Sequence, residues 1–180
     1  MNNKEATDAS FVERRWKTKH GHHAIVLMND MGFRCGYVAV EPPHPLHSHS
    51  YHDPSPYLSA PVDEQLGKRG IMPLFCTQSD DAMRAPDVVF DVHGSLTYSA
   101  PCDGGMICHD GPENLWWFGF DAGHCDDAPA PGSRMDHFAT HGVHRTEEYM
   151  VAECESLSEQ LVTRVGPLLQ LEHKDGTPPT

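Results

Sequence analysis

Residues 115–120 read Leu-Trp-Trp-Phe-Gly-Phe, with bulky apolar side chains at neighbouring positions. Successive side chains of a strand point to opposite faces, so a strand with this composition needs cover on both sides. The run therefore predicts a central strand, not one of alternating pattern at a wet surface. Trp116 and Trp117 must face opposite ways. One belongs to the core; the other either packs against a helix or stacks on a planar ligand.

Other segments supply strands to pair with it. Residues 24–28 (AIVLM) read as a buried strand, and residues 33–40 (FRCGYVAV) as a second. Asn29 to Gly32 between them carry turn chemistry, so an antiparallel hairpin is expected. Residues 88–91 and 96–99 predict two short strands around Gly94, where the chain bends or bulges. Gly104 and Gly105 turn the chain into another apolar stretch at 106–109. Residues 62–87 give no clear signal, with a short buried segment or a helix remnant at 71–76.

Near the end, Thr146 is placed to cap a helix whose first turn carries Glu147 and Glu148. Anions are favoured there by the backbone dipoles. Met150, Cys154, Leu157, Leu161, Val165 and Leu168 then recur every three or four residues, which is one stripe of an amphipathic helix. Gly166 and Pro167 should bend or end it. The fold class is α+β: a mainly antiparallel sheet of four to six strands with this C-terminal helix packed on it. One domain is expected over residues 1–180, with a loose N-terminal arm at 1–19, a Pro/His-rich loop at 41–61, the helix at 146–168 and a tail at 174–180. With 180 residues the chain is the size of one well-cored domain.

Charge excludes some functions. Thirteen basic against 26 acidic residues give a net charge of −13, which opposes docking on nucleic acid. The run 24–28 is far shorter than the roughly 20 residues a membrane span needs. No membrane partner and a cytoplasmic location, in the producing cell or a phage host, are expected. The six cysteines show no dense regular spacing, so reduced thiols are the expectation.

The densest group of chemistry-bearing residues is Asp91, His93, His109, Asp110, Asp121, His124 and Asp126. In a strand Asp91 and His93 share a face, while Asp121 and His124 follow the Trp-rich strand where side chains leave the core. Were these strands neighbours, two carboxylates and two imidazoles would converge. Such a set can hold a divalent metal, run acid/base chemistry or bind a polar ligand. The candidate ligand-binding residues are Asp91, His93, Tyr98, Trp117, Asp121 and His124. The catalytic candidates are His93, Asp121 and His124, and the candidate metal ligands are Asp91, His93, Asp121 and His124.

Three other patterns carry less weight. Cys102, Cys108 and His109 with His124 and Cys125 offer zinc-type ligands at spacings that do not form a compact knuckle. His44, His47, His49 and His52 stand in a proline-broken run that reads as a solvated loop. Cys35, followed in the chain by His93 and Asp121, has the order of a cysteine protease, but lies mid-strand where no helix terminus would polarise a thiolate.

The stretches Cys35-Gly-Tyr-Val, Asp91-Val-His-Gly-Ser-Leu-Thr-Tyr (91–98) and Trp116-Trp-Phe-Gly-Phe-Asp121 resemble an uncharacterised family of small bacteriophage and bacterial proteins. Members of that family follow WWFGFD with Cys-Ala-His-Ala-Gly-Asp; this chain has Ala122-Gly-His124-Cys-Asp126, which retains an imidazole and a carboxylate but moves the cysteine. The resemblance implies a phage or mobile-element context, assigns no activity and leaves out His47 and His49. The function expected is capture of a small polar molecule, a nucleotide derivative being one such ligand, in a His/Asp pocket. The alternative is hydrolysis by the same residues with or without a divalent metal, so enzymatic activity is left open. A homodimer is expected through an exposed edge at residues 33–40.

Overall fold

The structure is a computed structural model, and it describes residues 10–58, 83–102, 107, 112–138 and 141–166. Strands β1 (Phe11–Lys17), β2 (His23–Met28), β3 (Arg34–Val40), β4 (Tyr98–Pro101) and β5 (Trp116–Asp121) form an antiparallel sheet in the order β1-β2-β3-β5-β4. A four-residue helix, α1 (Pro86–Val89), precedes β4. Two-residue strands β6 (Asp127–Ala128) and β7 (Val143–His144) pair in parallel. The 17-residue helix α2 (Glu147–Thr163) lies on the sheet over β2 and β3. The α+β architecture with a C-terminal helix on the sheet is as expected from the sequence.

Alternation along the strands builds two cores. Val26, Val38, Phe118 and Phe120 face α2 and meet Met150, Cys154, Leu157 and Leu161. On the reverse face Ile25, Leu27, Cys35, Ala39 and Trp117 form a second cluster with Leu115 and Ile107. The tryptophans divide as the strand pattern requires. Trp117 is buried on the reverse face, while Trp116 packs toward α2 and donates its indole N–H to the His49 carbonyl. Gly36 has no room for a side chain: a Cβ there would stand 2.5 Å from Phe120 Cζ and 2.9 Å from Cys154 Sγ.

Thr146 caps α2, its hydroxyl accepting from Tyr149 N at 3.2 Å. The helix stops at Thr163, short of the predicted 168, because Val165 leaves to bridge Leu58 and Gly166 N bonds the Tyr57 carbonyl.

Several expectations need correction. Residues 11–17 are not a loose arm but an edge strand; residues 1–9 lie outside the described residues. The charges of Phe11–Lys17 conceal the strand, since an edge strand keeps much of its surface in water. Residues 88–91 are not a strand: Pro86 starts α1, which buries Pro86 and Val89. The segment 33–40 is no edge, because β5 pairs with β3 and leaves β1 and β4 outermost. The edge on which a homodimer was expected is thus inside the sheet.

Cys102 is disulfide-bonded, against the expectation of reduced thiols. Cys35, Cys125 and Cys154 are free. Residues 59–82 and 108–111, with the segment 71–76, His109 and Asp110, also lie outside the described residues. The same holds for 174–180.

Candidate functional site

The site begins with how α2 holds the loop after α1. A polar stripe of the helix grips the backbone of residues 89–93. The Arg164 guanidinium donates to the Val89 carbonyl, and the Gln160 amide pairs with both Asp91 N (2.7 Å) and Asp91 O (2.8 Å). Glu153 Oε2 accepts from His93 N at 2.7 Å, and the Tyr149 hydroxyl lies 3.0 Å from His93 Nδ1. Buried backbone groups must find partners, and here the helix side chains supply them in place of a neighbouring strand. His93 is thereby fixed in position and orientation.

The second half of the site follows β5. Residues 124–127 form a turn closed by Asp127 N to the His124 carbonyl at 3.0 Å. The Asp127 carboxylate folds back on that turn, accepting from His124 N at 3.0 Å. It also meets His93 Nε2 at 2.7 Å and His124 Nδ1 at 3.4 Å, all through Oδ2. Its other oxygen, Oδ1, accepts from Arg145 Nε at 2.8 Å. Arg145 arrives through the β6–β7 pairing. That end is braced by Arg34, which donates to the Arg145 carbonyl at 2.7 Å and forms a two-pronged ion pair with Glu13. Glu13 is free to reach Arg34 because it is the extra residue of a bulge in β1.

Asp127 is the hub. Its side chain is 1% exposed, and burial alone would favour the neutral acid. Hydrogen bonds from Arg145, His93 and His124 N outweigh that and hold its carboxyl down at about 2. The site is also tightly shaped: Gly94 has φ +70°, and a Cβ there would lie 1.9 Å from His124 Cε1. The His93 and His124 rings meet edge to face with centroids 5.3 Å apart.

His93, His124 and Asp127 each offer one ligand atom, and the three atoms lie within 4.8 Å of one another. Metal–ligand bonds of about 2.0–2.1 Å in tetrahedral geometry separate ligand atoms by roughly 3.3 Å. The 3.4 Å between His124 Nδ1 and Asp127 Oδ2 already fits. The 2.7 Å from His93 Nε2 is a hydrogen bond that an ion would replace as the pair opened. Each of two ligands has an outer partner in place, Tyr149 on His93 and Arg145 on Asp127, the arrangement that orients metal ligands. No other such group occurs among the described residues.

The remaining sequence candidates lie apart from this group. Asp91 contacts α2 through its backbone, and its side chain is exposed. Asp121 belongs to the reverse face: it pairs with Cys35, and its carboxylate accepts from Thr97 Oγ1 and Gly123 N. Tyr98 and Trp117 share that face, where Tyr98 meets Tyr37 edge to face at 5.5 Å. Two of the four imidazole and carboxylate residues expected to converge do so, and the carboxylate joining them is Asp127. Its His124-x-x-Asp127 spacing, one turn long, was the signal that would have found it. Tyr149, Glu153 and Arg145 carry no such local signal.

The other patterns resolve into structure. His49 bonds the Asp53 carbonyl within the loop, while His47 and His44 tie the loop to the carbonyls of Asn114, ahead of β5, and Leu161 on α2. Cys35 is held near 11 by burial and then by Asp121, so its thiol stays protonated, and the partners of His93 are elsewhere. Disulfide-bonded Cys102 cannot ligate zinc. No protein-family model matches this chain, and neither does any curated protein or solved structure. No helix among the described residues is long and apolar enough to cross a membrane.

Proposed function

We propose that this protein binds a small polar ligand at a divalent transition metal held by His93, His124 and Asp127. The observation that carries the reading is the convergence of those three ligand atoms within 4.8 Å around a buried, ionised carboxylate. Two imidazoles and one carboxylate suit zinc, iron or cobalt, whereas calcium and magnesium prefer all-oxygen sets. Three protein ligands leave at least one coordination position for water or a ligand. Solvent reaches this centre on the side of His124, whose side chain is 39% exposed. The phage or mobile-element context implied by the sequence resemblance belongs to the same proposal.

A hydrolase that uses the same residues without a metal is the second reading. It is favoured by the chain Asp127–His93–Tyr149, a carboxylate, an imidazole and a hydroxyl in hydrogen-bond contact at 2.7 and 3.0 Å. Such a chain can take a proton from water and pass it on.

Equilibrium dialysis of untagged protein against zinc(II) or cobalt(II) tests the proposal. One ion per chain is expected, with the uptake lost in His124→Ala. A protein that takes up no metal, or takes it up equally well without His124, overturns it. Turnover of a phosphoester or amide panel by metal-free protein, abolished by His93→Ala, separates the hydrolase from the binder.

A further inference from the structure

We infer that the ligand accepted by this centre is a small oxyanion, bridging the metal and the terminal nitrogens of Arg145. The inference rests on the metal reading above and adds the ligand's chemical class. It follows from which hydrogen-bonding groups the site has already spent.

The acceptors are spent. Asp127 Oδ1 takes Arg145, and Oδ2 takes the His124 N–H and, in place of His93, would take the metal. Glu153 lies within electrostatic reach of Arg145, and its Oε2 accepts the His93 backbone N–H. A cationic ligand, or a neutral one that must donate hydrogen bonds, would have to displace one of these pairs.

Donors are left over. Arg145 uses only Nε on Asp127, and neither of its terminal nitrogens has an acceptor among the described residues. Its guanidinium carbon lies 5.0 Å over the Tyr149 ring, so the plane is held on one side while the side chain remains 24% exposed. A guanidinium edge so presented matches the paired oxygens of a phosphate or carboxylate.

Charge agrees. With a divalent ion, the Asp127 and Glu153 carboxylates, the Arg145 cation and two neutral imidazoles, the centre carries a net charge of about +1, against a chain of −13. It would be a local anion trap on a surface that repels polyanions. A small anion is therefore favoured over a nucleic-acid backbone.

Cobalt(II)-loaded protein tests this, since the visible d–d bands respond when a ligand enters the coordination sphere. Inorganic phosphate and acetate would be titrated against imidazole as a neutral comparator. Phosphate or acetate is expected to saturate the change at a lower concentration than imidazole. In Arg145→Met the anion's half-saturation should rise at least tenfold, while Arg145→Lys loses less; cobalt stoichiometry is measured in each. Variants that hold one cobalt and bind the anion as the wild type does overturn the inference and leave the metal reading standing. A wild-type site preferring imidazole overturns it whatever the variants do. A wild type that takes up no cobalt sinks both.

Discussion

The α-carbon of Gly94 lies directly against the His124 imidazole, so close that a Cβ would stand 1.9 Å from Cε1 and 2.2 Å from Nε2. The same glycine holds φ +70°, a conformation L side chains rarely adopt. One backbone position thus sets both the bend of the loop carrying His93 and the place of the second imidazole. In Gly94→Ala the ring must move and the backbone is strained. The expected outcome is a loss of about 1–3 kcal/mol in urea unfolding together with weakened zinc uptake in dialysis. A variant with wild-type uptake would show that the placement of His124 does not matter.

Asp127→Asn removes the charge that three donors share while keeping the shape. Breaking a buried ion pair by removing one partner costs about 3–5 kcal/mol, and the remaining His93 and Arg145 then face a neutral amide. The urea midpoint should fall accordingly, with metal uptake lost. An unchanged midpoint would mean that the ion pair contributes nothing net.

Acid should loosen the packing of α2 through His22. This ring, whose Nδ1 lies 2.8 Å from the buried Ser158 hydroxyl, has its pKa lowered from 6.5 to about 4 by burial and then by His44 and His20, with Glu41 opposing. An unfolded chain takes up the proton near 6.5, the folded one only near 4, so the folded state binds fewer protons in between. Its contribution is therefore complete above 6.5 and is lost as the pH falls toward 4. Partial exposure limits the effect to about 1–2 kcal/mol. His44, also lowered by burial, acts in the same direction. Unfolding midpoints between pH 7 and 4 should slope less in His22→Gln; equal slopes would assign the acid sensitivity elsewhere.

Leu157→Ala tests the helix–sheet core. Leu157 is fully buried between α2 and the sheet, and truncation there should cost about 2–5 kcal/mol. The comparison is Val162→Ala on the same helix, 53% exposed, which should change stability by about 0.5 kcal/mol or less. Similar losses in both would contradict the orientation of α2.

Residues 115–120 and the stripe of residues 150–161 were legible because their information is local. A strand has period 2 and a helix about 3.6, so each pattern announces its element and its buried face before any partner is known. Thr146 was legible as a cap for the same reason. What local pattern could not supply was neighbour relations. Residues 33–40 look like an edge strand until β5 is known to lie beside β3. Residues 11–17 look like an arm until β2 supplies its ladder and Arg34 a partner for Glu13.

The site divides in the same way. Composition around residues 91–127 pointed to His93, on the face of an expected strand, and to His124, just past the end of the central strand. Tertiary structure alone separated them from Asp121, because strand alternation turns that carboxylate to the face of Cys35. Asp127 became the shared acceptor through a turn, Arg145 reached it through the β6–β7 pairing, and Tyr149 met His93 across 56 residues of chain. The sequence by itself determined which segments become sheet and helix and which of their faces are apolar, because those follow from short-range periodicity. Which charges meet was decided only by the long-range packing of α2 and β7 against the loops, where a buried carboxylate is tolerated only once its donors are in place.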